Sequence, residues 1–256
     1  MSKPEPTVLH GDSLVLATEL PQGQADLIYL DPPFFTNKRQ RNRTGHHYDD
    51  RWPGGLAEYL AFLRKLLEAA RPLLSAHGLL ALHLDWRASH WGRVELERLF
   101  GPEAFVNEVI WAYRTGGGSK RHLRRKHDTI HVFANGPKYV FNPSTEKSRL
   151  AHHYGFTNVQ IRDDGDGPYT LSGLRDVWEI AALRGNMKEW VGYPTQKPLA
   201  LMCRLIECFT NPGALVADLC CGSGSTLVAA RGLGRRWLGV DSNADAVKLA
   251  LSRLSH

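Results

Sequence analysis

Four short apolar runs in this chain each stop at an aspartate, and that recurrence limits the fold more than any other feature. Ala25-Asp26-Leu27-Ile28-Tyr29-Leu30 ends at Asp31, and Leu79-Leu80-Ala81-Leu82-His83-Leu84 ends at Asp85. Leu215-Val216-Ala217 ends at Asp218, and Arg236-Trp237-Leu238-Gly239-Val240 ends at Asp241. Runs this apolar read as buried strands of a parallel sheet, covered on both faces. Val8-Leu9-His10, a helix-compatible piece from Leu14 towards Leu20, a break at Pro21-Gln22-Gly23 and the strand at 25–30 make a βαβ unit. Helical spacing recurs over 56–70, 88–100, 198–209, 225–232 and 244–254, the last headed by Asn243 as N-cap. The class is α/β. In such sheets ligands gather at the carboxyl ends of the strands, where Asp12, Asp31, Asp218 and Asp241 all fall.

Two of these strand ends carry distinctive chemistry. In Asp31-Pro32-Pro33-Phe34 the prolines fix φ and have no N–H, so their carbonyls are left to accept from something else. A carboxylate, free carbonyls and a flat ring suit an amino group on a planar base; an ordinary strand-to-loop exit is the plain alternative. The second end runs from Asp218 through Leu219-Cys220-Cys221-Gly222-Ser223-Gly224-Ser225-Thr226 into a helix, a strand and Asp241, nineteen residues after Gly222. Glycines let a ligand approach the backbone, and the helix start offers unpaired N–H groups. An acid at this spacing suits ribose hydroxyls. No Lys precedes Ser225-Thr226 and no third glycine falls in register, so neither a phosphate loop nor a dinucleotide fingerprint fits. The acid at the head of the turn repels a pyrophosphate and attracts a cationic amino-acid tail. S-adenosylmethionine has such a tail, a ribose and no phosphate; a βαβ turn without a ligand is the alternative.

Charge supplies the partner. The chain of 256 residues carries a net +6, with a pI near 9.2. The excess is clustered: Lys38, Arg39, Arg41 and Arg43 lie in a polar stretch at 35–55, read as a mobile loop directly after the Pro-Pro turn. Arg114, Lys120, Arg121, Arg124, Arg125 and Lys126 lie on a Gly-rich loop between two strands. Such loops can track a phosphate backbone, although a basic cluster is also a common solvated face. An acidic run at 163–166 would repel phosphate. Cys203, Cys208, Cys220 and Cys221 lack Cys-x-x-Cys spacing and have no His pair at zinc-ligand spacing, so no metal site is expected and reduced thiols of a cytosolic protein are. The N-terminus reads as no signal peptide, and no apolar run approaches membrane-spanning length. One domain over 1–256 is expected, with an irregular, loop-rich inserted lobe at about 137–194.

Together these motifs resemble the β-class S-adenosylmethionine-dependent DNA amino-methyltransferases, the adenine-N6 and cytosine-N4 family. The likeness rests on Asp31-Pro32-Pro33-Phe34, on Tyr193-Pro194-Thr195-Gln196-Lys197-Pro198 and on Asp218 through Thr226, in that order. Arg114-Thr115-Gly116-Gly117 and Lys126-His127-Asp128-Thr129 also look like the family's, so the likeness covers nearly the whole chain. It implies a seven-stranded, mostly parallel, doubly wound sheet with one antiparallel strand, and target recognition by the lobe at 137–194. It also implies a methyl-donor site of Asp12, Asp31, Gln196, Lys197, Asp218, Cys220, Gly222, Ser223, Gly224, Asp241 and Ser242. Members usually have Pro-Phe where this chain has Leu219-Cys220, which implies a looser pocket.

The reaction implied is methyl transfer to N6 of an adenine flipped out of double-stranded DNA, leaving S-adenosylhomocysteine. Asp31 would accept one amino hydrogen and the Pro32 carbonyl the other, localising the lone pair, while Phe34 stacks on the base. Asp at position 31, rather than Ser, resembles the adenine members. Cytosine-N4 transfer and a catalytically silent DNA-binding protein on the same fold stand as alternatives. RNA or protein amides are further ones, although protein-amide members have Asn before Pro-Pro. Restriction-modification work, a cytoplasmic, nucleoid-associated location and a homodimer complete what the resemblance implies.

Overall fold

Each apolar run named above becomes a strand, and the computed structural model shows how helices on both faces order them. It describes residues 5–41, 47–116, 120–149 and 160–255. In chain order the elements are β1 Thr7–His10, α1 Ser13–Glu19, β2 Ala25–Leu30, β3 Lys38–Arg41, β4 His47–Asp50, α2 Gly55–Ala70, β5 Leu74–Asp85 and α3 Ser89–Phe100. Next come β6 Phe105–Ala112, β7 His127–Ala134, β8 Thr145–Ser148, β9 Arg162–Asp163, β10 Pro168–Gly173 and β11 Val177–Glu179. The chain closes with α4 Leu199–Phe209, β12 Leu215–Asp218, α5 Ser225–Gly232, β13 Arg236–Asp241 and α6 Ala244–Leu254.

Eight strands form one sheet in the order β1-β13-β12-β2-β5-β7-β6-β11. All neighbours are parallel except β7, which is antiparallel to both β5 and β6. The sheet is thus the expected mostly parallel one with a single reversed strand, and one strand larger than expected. The extra strand is β11, whose three residues come from the stretch with the least regular sequence pattern. Trp178 buries its ring there, and Trp111 Nε1 donates to Ile180 O at 2.8 Å.

Alternate residues of each strand pack on opposite sides. From β2, Leu27 and Tyr29 join Leu201, Leu205 and Ile206 of α4, while Ile28 and Leu30 join Leu63, Leu66 and Leu67 of α2. Both faces are covered, which is why the strand reads as a continuous apolar run. Each fully buried aliphatic side chain contributes roughly 1.5–3 kcal/mol. The polar exception, Asp26, accepts from Leu215 N at 2.8 Å and ties β2 to β12.

The crossovers diverge between β2 and β12. From β2 the chain passes through α2 to β5 on one side, and from β12 through α5 to β13 on the other. That reversal opens a crevice beyond the carboxyl ends of these two strands. The register sets Asp218 beside Tyr29 and Gly239, and His10 beside Asp241. Asp31 and Asp241 therefore overhang Asp218 from either side.

The stretch at 35–55 departs from the expected loop. It holds a two-stranded antiparallel hairpin, with Lys38 opposite Asp50 and Arg39 opposite Asp49. Neither strand alternates apolar and polar residues. Within the irregular stretch after 137, three short strands form a separate antiparallel sheet in the order β8-β10-β9.

Candidate active site

A cavity of about 810 Å³ opens at the crevice, lined by residues from both halves of the chain. Asp31, Pro32, Pro33 and Phe34 face it from β2; Asp218, Cys220, Gly222 and Ser223 from the glycine turn; Asp12, Asp241 and Ser242 from the ends of β1 and β13; and Lys197 from before α4. Trp52 and Phe62 add apolar wall beside Phe34. The structure brings nearly all the expected methyl-donor residues together. Gln196 and Gly224 are placed differently. Gln196 accepts from Val191 N at 2.8 Å and donates to Glu189 O at 2.8 Å, bracing the loop that carries Tyr193. Gly224, at φ +78°, is the N-cap of α5 and lies against Ala250.

The glycine turn is shaped by hydrogen bonds to acids. Cys220 N donates to Asp218 Oδ1 at 3.0 Å, and Asp241 accepts from Gly222 N at 2.7 Å and Asn243 N at 2.8 Å. Gly222 has φ +50°, and a Cβ there would sit 3.1 Å from the Tyr193 ring. Ser13 Oγ donates to Leu219 O, fastening the start of α1 to this turn. Asp12 caps α1 through Leu14 N at 2.8 Å while facing the cavity.

The electrostatics favour a cation. Burial pushes the Asp218 carboxyl up to about 7, with the nearby Asp31 and Asp241 charges adding to it against hydrogen bonds from Thr226 and Cys220. Asp241 is also raised, chiefly by burial. Burial keeps the Cys220 thiol far above its ordinary value, hence neutral. Three carboxylates around one cavity are best satisfied by a positive ligand. No group of three or more His, Cys, Asp or Glu among the described residues could hold a metal ion.

Asp31 is held at one oxygen only. Lys197 Nζ donates to Oδ2, and the pair is largely buried, while Oδ1 is buried with no hydrogen-bond partner among the described residues. Immediately beyond Phe34 the backbone takes left-handed conformations at Phe35 (φ 60°) and Asn37 (φ 53°). Such conformations cost of order 1–3 kcal/mol and persist where the surroundings hold them. Asp50, fully buried, does so: it accepts from Thr36 N at 2.7 Å and Trp52 Nε1 at 2.8 Å.

Behind Asp31 lies a buried group that sequence reading did not single out. Tyr29 OH is 2.6 Å from His83 Nδ1, Asp128 Oδ2 is 3.5 Å from His83 Nε2, and Tyr113 OH donates to Asp128 Oδ1 at 3.0 Å. The available signal was a lone histidine inside the otherwise apolar run 79–84.

The basic loops divide. Because β7 is reversed, the 113–126 connection rises on the same rim as Asp31. Arg114, Lys120, Arg121, Arg124 and Arg125 are exposed there, with the Arg125 guanidinium 3.7 Å over the Trp86 ring. Lys126 turns inward, donating to Thr115 Oγ1 at 2.7 Å and Gly116 O at 2.8 Å. Lys38 is exposed, the backbones of Arg39 and Arg41 lie in β3, and Arg43 lies outside the described residues. In the acidic run, Asp164 is engaged by Lys147 and Arg149, which hold its carboxyl well below the usual range.

A family model described as DNA methylase (N6_N4_Mtase) matches residues 25–252. The DNA adenine methyltransferase YhdJ of Escherichia coli K12 is 26% identical over 97% of this chain and 82% of its own length. The type II methyltransferase M.EcaI of Enterobacter cloacae is 28% identical over 98% of this chain and 70% of its own. Among solved structures, the M1.HpyAVI complex with S-adenosylmethionine superposes with a TM-score of 0.62 at 20% identity, over 97% of this chain and 98% of that one. The cytosine-N4-specific PvuII DNA methyltransferase superposes with a TM-score of 0.67 at 16% identity, over 98% and 87%.

Proposed function

The chain belongs to the DNA methylase family, and on that premise we propose that it transfers a methyl group from S-adenosylmethionine to N6 of an adenine flipped out of double-stranded DNA. The observation that carries the reading is Asp31: one oxygen engaged by Lys197, the other buried and unpartnered at the edge of a cavity ringed by carboxylates. The donor set fits this cofactor. Asp218 and Asp241 suit its cationic tail and ribose, Gly222 and Ser223 let it lie against the backbone, and Asp12, Cys220 and Ser242 complete the lining. Gln196 braces the loop that carries Tyr193, and Gly224 sets the start of α5. When bound, the cofactor supplies an electrophilic methyl carbon on a sulfonium.

The chain's own residues would prepare the amine. Its lone pair is delocalised into the ring; Asp31 Oδ1 accepts one amino hydrogen and the Pro32 carbonyl the other, localising the pair towards the methyl group. Flipping a base costs a few kcal/mol, and stacking on Phe34 offsets roughly 1–3 kcal/mol of this. Arg114, Lys120, Arg121, Arg124 and Arg125, with Lys38 and its neighbours, would hold the phosphates. The stretch 137–194 would read the target sequence. Adenine is favoured by Asp at position 31 and by the name of the Escherichia coli relative. Nucleoside analysis of unmethylated plasmid DNA treated with the protein and the methyl donor tests this. N6-methyladenine is expected; N4-methylcytosine alone would reject adenine, and no methylated base would reject the enzyme reading in favour of a silent DNA binder.

A further inference from the structure

His83 is wholly enclosed on β5, and the steps above do not use it. Asp31 Oδ1 lies 4.0 Å from its Nδ1, the nitrogen that also meets the Tyr29 hydroxyl. Its Nε2 faces Asp128, and the rings of Phe34 and Trp111 stand 5.7 Å away. Asp31 Oδ1 is buried at the cavity with no hydrogen-bond partner among the described residues, and His83 Nε2 has only the Asp128 carboxylate near it, at 3.5 Å. Buried polar groups are normally satisfied. An unpartnered carboxylate oxygen at the cavity, with a buried imidazole 4.0 Å behind it and a second carboxylate beyond, marks a path along which a proton can move.

The reaction needs such a path. As the N–C bond forms, the C–S bond breaks and its electron pair stays on sulfur, giving a neutral thioether. The amine nitrogen must then release one N–H proton. Asp31 Oδ1 is placed to take it, but a carboxylate touching an ammonium is a poor resting place for a proton. A neutral imidazole is a better one, and a carboxylate behind it stabilises the imidazolium. We propose that His83, braced by Asp128, receives the amine's proton by way of Asp31 Oδ1. The O–H bond at Asp31 breaks as the N–H bond at His83 Nδ1 forms. The Tyr29 hydroxyl rotates from donating to accepting, and the proton returns through Asp31 to solvent once the base has left. The inference rests on the methyltransferase reading but is indifferent to which base is methylated.

The groups facing His83 are Tyr29 and Asp31 from β2 and Asp128 from β7, with Lys197 beyond Asp31 and Tyr113 beyond Asp128. Burial alone would raise the Asp128 carboxyl, but His83, Lys197 and Tyr113 together hold it below the ordinary carboxylate range, so it is ionised and able to brace an imidazolium.

The test is single-turnover methyl transfer to unmethylated plasmid DNA with radiolabelled S-adenosylmethionine, saturating at every pH, for wild type, His83→Gln and Asp128→Asn. Wild type should lose rate at acid pH. His83→Gln should slow transfer on the order of 100-fold and abolish that acid limb. Asp128→Asn should move the limb to lower pH, because the imidazolium loses its carboxylate. Cofactor affinity, measured by calorimetry, should stay within about twofold of wild type if the role lies in proton transfer rather than binding. His83→Gln at the wild-type rate, or slowed with the limb unmoved, overturns the proposal. If His83→Gln does not fold, Asp128→Asn decides, and an unmoved limb overturns it. A wild type that transfers no methyl group rejects the enzyme reading and this inference with it; active wild type beside an unaffected variant rejects the inference alone.

Discussion

Asp218 is the residue through which pH should reach cofactor binding. Its carboxyl, buried at the head of the glycine turn, is raised to about 7, first by burial and then by the charges of Asp31 and Asp241. A cationic ligand binds the ionised form, so below that value binding must first expel a proton. At pH 6 about one molecule in eleven is ionised, and affinity should be about tenfold weaker than on the plateau above pH 8, falling a further decade per pH unit. The same gap, from an ordinary 3.8 to about 7, means the fold disfavours the ionised carboxyl by roughly 4 kcal/mol at pH 8. The sign follows: a carboxyl raised in the folded state costs stability as pH climbs from about 4 to 7. Asp218→Asn keeps an acceptor for Cys220 N and removes the charge. It should therefore melt at a higher temperature than wild type at pH 8 and bind S-adenosylmethionine at least tenfold more weakly. Calorimetric titrations in two buffers of different ionisation enthalpy would also show proton release below pH 7. An affinity flat between pH 6 and 8, or an Asn variant no more stable at pH 8, would refute the reasoning.

Three other outcomes are expected. Asp31→Ala should abolish methyl transfer and lower stability by roughly 3–5 kcal/mol, because Lys197 is left buried without its partner. Adding Lys197→Met should restore most of that stability in chemical denaturation but none of the activity. Replacing Arg124 and Arg125 by Ala should weaken DNA binding and reduce the slope of log affinity against log salt by about 2; an unchanged slope would mean that these residues only face solvent. Gly224→Ala should destabilise by roughly 1–3 kcal/mol, since its φ is +78° and a Cβ would lie 2.8 Å from that of Ala250. A melting temperature equal to wild type would show that the turn relaxes freely.

Local pattern was enough for what local chemistry controls. Buried strands had to be apolar throughout, so β2, β5, β12 and β13 were legible, and so were the acids that stop them. A glycine turn into a helix needs no tertiary information to be recognised, and Asn243 caps α6 as its type suggests, accepting from Asp245 N at 2.9 Å. The hairpin at β3 and β4 was missed because Lys38-Arg39-Gln40-Arg41 and His47-Tyr48-Asp49-Asp50 show no apolar alternation. β11 was missed because three residues carry no period; only burial of Trp178 against β6 makes them a strand.

What no linear pattern could supply is proximity across the sheet. Asp31 and Lys197 are 166 positions apart in the chain, and nothing in either segment says that the ammonium occupies one carboxylate oxygen and leaves the other bare. His83 read as a polar interruption in a buried strand. Its meaning comes from β2 and β7 flanking β5, which put Tyr29 and Asp31 on one side of its ring and Asp128 on the other. The residue types and their order along the chain therefore name the chemistry, because a base-amine clamp and a methyl-donor turn each need a few neighbouring residues. Which oxygen is free, which acid is held near neutral pH and which histidine waits behind the clamp depend on burial and on strand order, and those exist only once the sheet has closed around them.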